Sequence, residues 1–255
     1  MIYTSAMSER KTIFLHGWGM NACIFDPLIE LIGDRVATVN VSLPGYAGSH
    51  WSAAFPFEEQ LELMAQDLPA GQLTGWSMGG LYAIELASRY PQKFDELTLV
   101  ASNPCFVKRG DWKYAVDESV FDAFAGQLSV GWQATMRRFL SLQMLGVADG
   151  REQVRAITRQ MARVGEPGVE VLQQGLALLK SRDSRATLAG LRQPVRIILG
   201  ERDALVPIAL KQQIADLNPK FQVESQPGAA HAPFLSHPES FVSLLLDPVE
   251  YRKST

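Results

Sequence analysis

Residues 75–80 read Gly75-Trp76-Ser77-Met78-Gly79-Gly80. A glycine stands two positions before a serine and another two positions after it. The short stretch Gln72–Thr74 precedes them, and Met78–Tyr90 has helical character up to Pro91. A chain that presents a serine at the carboxyl end of a strand must turn sharply and enter a helix at once. The serine backbone is then strained, and side chains two positions to either side would collide across the turn. Its oxygen would stand at a helix N-terminus, where free N–H groups and the helix dipole favour a developing anion. The pattern predicts a nucleophile elbow; the alternative is a glycine-rich turn with an incidental serine.

Working outward, strand patterns lie at Thr12–Leu15, Val36–Val41, Leu97–Ala101 and Val195–Leu199, with a weaker one at Phe221–Ser225. Helical spacing fits Phe57–Leu68 and Ser240–Leu246, with Pro238 just before the latter. Such alternation predicts a mainly parallel sheet with helices on both faces. It fails between about 106 and 185, where spacings such as Val120/Phe124/Leu128 and Val154/Ile157/Met161/Val164 are helical. The expected organisation is one α/β core made of 1–105 and 186–255, with a helical lid at 106–185 inserted between its halves.

A serine hydroxyl needs a base, and the base an orienting acid. Of four histidines, His16 and His50 precede the serine, while this kind of fold supplies its triad in the order serine, acid, histidine. His237, before Pro238, suits packing or capping; His231, in the loop after the Phe221–Ser225 strand, suits the base. Asp203 follows the Val195–Leu199 strand and is the expected acid, with Glu201 and Asp183 as rivals and a turn-capping role as the alternative. His16-Gly17-Trp18-Gly19 follows the first strand, so the backbone N–H of Trp18 can join that of Met78 as an oxyanion hole. One such donor contributes about 3–4 kcal/mol. His16 is expected to brace this loop without doing chemistry, and Trp18 to line the pocket.

The 255 residues carry a net charge of −3, with 47% hydrophobic and 20% charged residues. That balance suits a globular enzyme and gives no global basis for binding nucleic acid. Cys23 and Cys105 form neither a disulfide framework nor a metal pattern. No apolar run is long enough to span a bilayer, and no leader pattern opens the chain. The expectation is a cytoplasmic monomer needing no metal or cofactor.

These residues resemble the α/β-hydrolase superfamily. The stretches FLHGWGMNA, LPGYAGS, LTGWSMGGLYA, VASNPCF, RRFLSLQMLG and AAHAPFLSHP are similar to the carboxylesterases of biotin synthesis that act on pimeloyl-acyl carrier protein methyl ester. The resemblance implies a triad of Ser77, Asp203 and His231 and an oxyanion hole at Trp18 and Met78. It also implies a pocket-lining aromatic at Phe139, and acyl carrier protein as the partner. Of the lid arginines it implicates in carrier binding, Arg138, Arg151 and Arg155 have counterparts here, whereas one such position is Ala134. Ser42, just before the LPGYAGS turn, and Ala47, within it, depart from the family's usual aspartate and glycine, and a shorter N-terminus implies a reduced first hairpin.

The charge pattern bears on the same point. Six arginines (137, 138, 151, 155, 159, 163) face only Asp149 and Glu152 between Gln133 and Val164. Arg151, Arg155, Arg159 and Arg163 recur every fourth residue, a stripe on a helix. Arg138, Arg151, Arg155 and Arg159 are therefore the candidate contacts for an acidic, phosphate-bearing carrier; the alternative is a solvated helix face. Two other functions stay open: a broad-specificity short-chain carboxylesterase, and a non-catalytic binding protein on the same fold.

Overall fold

The computed structural model describes residues 10–144 and 150–249. In chain order its elements are β1 (Lys11–Leu15), α1 (Asp26–Ile32), β2 (Ala37–Val41), α2 (Phe57–Asp67), β3 (Gly71–Trp76), α3 (Met78–Arg89) and β4 (Phe94–Val100). Helices α4 (Glu118–Gln143), α5 (Gly150–Val164), α6 (Val169–Ser181) and α7 (Arg185–Ala189) follow, then β5 (Val195–Gly200), α8 (Leu210–Leu217), β6 (Gln222–Gln226), α9 (Pro233–Ser236) and α10 (Pro238–Leu246). The strands form one parallel sheet in the order β2-β1-β3-β4-β5-β6. The reduced first hairpin expected from the N-terminus falls on residues 1–9, outside the described residues.

That order fixes where chemistry can sit. From β1 the chain moves outward to β2, then returns to place β3 on the other side of β1. The loops leaving β1 and β3 therefore diverge, opening a crevice at the carboxyl ends of these strands. Ligands bind at such switch points in open α/β sheets. Both the HGWG loop and the serine turn emerge there.

Two segments differ from expectation. Gln72–Thr74 is poor as a strand by itself, yet Gly71–Trp76 is a fully buried central strand. Its hydrogen bonds come from β1 on one side and β4 on the other. Its Gln72 is satisfied by the neighbouring strands: Thr12 of β1 donates to Gln72 Oε1 at 3.3 Å, and Gln72 Nε2 donates to Thr98 of β4 at 2.9 Å, whereas the Thr74 hydroxyl has no partner among the described residues. The second difference is α1, which the patterns did not single out; it buries only Leu28 and Ile32.

Glu118–Gln143, Gly150–Val164 and Val169–Ser181 are helical, and α4 breaks at Gly131, where φ is −168° and ψ is 77°. The stems of this segment are tied to each other and to the sheet. Cys105 bridges Asp183, and Ser184 N–H donates to Pro104 O at 2.8 Å. Glu85 of α3, almost fully buried, takes Arg182 at 2.7 Å and the Ser184 hydroxyl at 2.7 Å.

Candidate active site

Ser77 caps α3 with φ 52° and ψ −118°, a positive φ that is uncommon for any residue but glycine. The glycines permit the turn, though not both for the expected reason. A Cβ on Gly75 would lie 2.6 Å from Gly79 O and 2.7 Å from Gly80 Cα, a collision across the turn. A Cβ on Gly79 would instead strike the end of β1, 2.2 Å from Leu15 O and 2.6 Å from His16 O. Gly79 thus lets α3 pack against the strand that leads into the HGWG loop.

Three side chains distant in sequence meet here. His231 Nε2 lies 3.0 Å from Ser77 Oγ, and His231 Nδ1 lies 2.8 Å from Asp203 Oδ2. A carboxylate only accepts, so Nδ1 carries the proton; in a neutral ring Nε2 is then free to accept from the serine hydroxyl. All three are buried. Asp203 Oδ1 accepts the N–H groups of Leu205 and Val206 at 2.8 and 3.0 Å. The aspartate therefore pins its own turn with one oxygen and the histidine with the other. Glu201 turns away to accept from Gly228 N–H, and Asp183 pairs with Arg185. His237 precedes α10 and contacts Ser236, apart from the relay.

The histidine loop is held by Trp76, whose indole N–H donates to His231 O at 2.8 Å. Gly200 lets that loop come close, since a Cβ there would sit 2.1 Å from Ala230 O. Trp76 stood out in the sequence as a motif residue, but its partner lies 155 positions away and no local pattern signals it.

The N–H groups of Trp18 and Met78 donate to no protein acceptor among the described residues. For Met78 this follows from its place in the first turn of α3. His16 bridges two loops: Nε2 accepts from Leu43 N–H at 2.9 Å, which leaves Nδ1 to donate to Gly17 O at 2.8 Å. Burial lowers its pKa from 6.5 to about 4, only partly offset by the bond to Gly17, so the ring is neutral.

A cavity of about 140 Å³ stands over Ser77 and His231. Trp18 and Phe139 line it, as expected, in edge contact with ring centroids 5.0 Å apart. Phe106, Phe121, Phe124 and Leu205 also line it and were not singled out as site residues. Helical spacing marked Phe124 as inward-facing but could not say towards what. Trp18 also belongs to the core, its indole donating to Leu172 O at 2.8 Å.

Arg138, on the second half of α4, and Arg151, Arg155 and Arg159, on α5, are exposed. None has an acidic partner within ion-pair distance among the described residues. Asp149 lies outside them. Ile157 and Met161 turn the opposite face of α5 inward. No helix among the described residues is long and apolar enough to cross a membrane, and no three or more His, Cys, Asp or Glu groups there are arranged to hold a metal.

Solved structures share this fold. An esterase from Exiguobacterium antarcticum superposes with a TM-score of 0.82 at 19% identity, over 93% of this chain and 90% of that one. A bromoperoxidase from Bacillus anthracis gives 0.79 at 18%, over 94% and 91%. Closer in sequence are proteins named pimeloyl-[acyl-carrier protein] methyl ester esterase. That of Yersinia pseudotuberculosis is 36% identical over 252 residues, 98% of this chain and 97% of the relative. That of Serratia marcescens is 37% identical over 95% of this chain and 94% of the relative. The model of the alpha/beta hydrolase family matches residues 12–244. On these grounds the chain belongs to the alpha/beta hydrolase family, among relatives that are pimeloyl-acyl carrier protein methyl ester esterases.

Proposed function

We propose that the protein hydrolyses the methyl ester of pimeloyl-acyl carrier protein, freeing the carboxylate and releasing methanol in the synthesis of the biotin precursor. It is a carboxylic ester hydrolase. The observation that carries the reaction is the hydrogen-bonded relay Ser77–His231–Asp203, at 3.0 and 2.8 Å, under an apolar cavity.

Ser77 attacks the ester carbonyl while His231 takes its proton. The tetrahedral oxyanion receives the N–H groups of Trp18 and Met78. His231 then protonates the departing methanol. Water, activated by the same imidazole, cleaves the acyl-enzyme, and Asp203 holds the tautomer and stabilises the imidazolium. The fixed C=O and N–H positions need little rearrangement as charge develops. Phe139 and the Trp18 ring hold the acyl chain.

Residues 106–185 serve as the lid over the core formed by 1–105 and 186–255. The names of the full-length relatives support the substrate. The exposed Arg138, Arg151, Arg155 and Arg159 support a docking face for an acidic carrier protein in the cytoplasm.

The apolar lining favours one second reading, a short-chain carboxylesterase of broad specificity, because nothing charged in it selects an acyl terminus. Hydrolysis of carrier-bound and free pimeloyl methyl ester, compared at equal concentration, separates the two. A clear preference in kcat/KM for the carrier-bound ester is expected. Equal values would leave the broad esterase.

A further inference from the structure

The two N–H groups offered to the oxyanion are each one end of a planar peptide. In a trans peptide the C=O and N–H point in opposite directions, and no cis bond occurs among the described residues. Whatever fixes the carbonyl therefore fixes the aim of the N–H.

Both carbonyls are tied to buried side chains that stand outside the cavity lining. The Gly17 carbonyl, in the same peptide as Trp18 N–H, accepts from His16 Nδ1 at 2.8 Å and from Met20 N–H at 3.3 Å. The Ser77 carbonyl, in the same peptide as Met78 N–H, accepts from Ser102 Oγ at 2.8 Å and from Gly80 N–H at 3.0 Å. His16 and Ser102 are both 0% exposed. Burying a polar group is costly unless it is bonded, and here each bond lands one peptide link from an unpartnered donor.

The surrounding backbone is shaped to bring Ser102 to its carbonyl. Ala101, which precedes it, has φ 43°; Ala101 and Ser77 are the only described residues other than glycine with positive φ. They lie at the ends of adjacent strands, joined where Ser77 N–H donates to Val100 O at 2.9 Å. Gly80 leaves the room: a Cβ there would lie 2.0 Å from Ser102 Oγ. Strain of this kind persists only where the surroundings over-determine it, and it gathers at functional sites. His16 is equally fixed, because Leu43 N–H occupies its second nitrogen.

We propose that His16 and Ser102 are positioning residues that aim the Trp18 and Met78 N–H groups at the ester oxyanion. The proposal rests on the reading of Ser77 as nucleophile. His16 has the larger part. Gly17 lies in a loop with only the long Met20 bond to help, whereas the Ser77 carbonyl also begins a helix. Hydrogen bonds weaken steeply with angle, and the oxyanion exists only around the transition state. Loss of aim therefore lowers kcat and leaves KM.

The test compares His16→Asn, His16→Gln and Ser102→Ala with wild type on p-nitrophenyl butyrate and its thiono (C=S) counterpart. Asparagine keeps a donor where Nδ1 stands; glutamine reaches the Leu43 side and leaves Gly17 O without its partner. His16→Gln is expected to lower kcat roughly 30-fold, part of the 10²–10³ that a lost donor costs. KM is expected to hold, and the oxo/thiono rate ratio to shrink in step with kcat. His16→Asn recovers most of the loss. Ser102→Ala lowers kcat and the ratio by roughly 5-fold, a smaller share of the same cost, and carries the test alone if His16→Gln does not fold. An unchanged ratio in variants that still label fully at Ser77 with a fluorophosphonate overturns the proposal by itself, as does His16→Asn falling as low as His16→Gln. Wild type that fails to label at Ser77 overturns the reading of the site beneath it.

Discussion

At the carboxyl edge of the sheet the polar side chains are committed to partners inside the protein, whereas along the outer face of α5 the cations face solvent unpaired. Asp203 uses both oxygens, His231 both nitrogens and its carbonyl, and His16 both nitrogens. Arg151, Arg155 and Arg159 have no acidic partner among the described residues. The helical segment is not loose at its root, since Arg182 and Ser184 join it to Glu85. The difference divides the labour. Bond making and breaking tolerates little misplacement and is held by short, buried hydrogen bonds. Recognition of a large acidic partner works through long-range, screened charge on side chains free to adjust.

The strongest way to break this contrast is at the relay. Ser77→Ala and His231→Ala should each lower kcat by roughly 10⁴-fold or more, as loss of a triad member does, with melting temperature nearly unchanged. His237→Ala should stay within about two-fold, because it contacts Ser236 and not the relay. A His237→Ala enzyme that loses turnover while His231→Ala keeps it would move the base and undo the assignment.

A smaller effect probes the buried hydrogen bonds through pH. Burial holds the folded-state pKa of His16 at about 4, against 6.5 for an ordinary histidine. Between those values the unfolded chain binds a proton that the folded chain does not. Stability therefore rises with pH across this window and is lost as pH falls towards 4, by up to roughly 3 kcal/mol. Melting temperature measured from pH 7 to pH 4 should fall less steeply in His16→Asn than in wild type. Identical slopes would show that the ring titrates freely.

The smallest effect sharpens the other side of the comparison. Arg151→Glu with Arg155→Glu should raise the apparent KM for the carrier-bound ester by about ten-fold, since each exposed charge contact contributes up to about 1 kcal/mol. Turnover of p-nitrophenyl butyrate should hardly change. Raised salt should imitate the substitution in wild type, because exposed charges are screened over roughly 8–10 Å. Equal losses on both substrates would point to a disrupted helix, and no loss on either would return these arginines to an ordinary solvated face.

Several features were legible from local pattern alone. Apolar runs marked β1, β2, β4 and β5, and the glycines around Ser77 marked the turn, because period and turn chemistry act over a few residues. The order of serine, acid and histidine then singled out Asp203 and His231 from a short list. Tertiary structure decided the rest. β3 is a strand because β1 and β4 supply its hydrogen bonds, while its own Gln72 and Thr74 argue for nothing in particular. Gly79 is small for the sake of the end of β1, not of its own turn. Trp76 reaching His231 O, Ser102 reaching Ser77 O, and Phe124 meeting Trp18 all join positions far apart in the chain. Such contacts depend on where whole elements dock. Docking is settled by the packing of many side chains at once, and a local pattern that turns a residue inward does not name its partner.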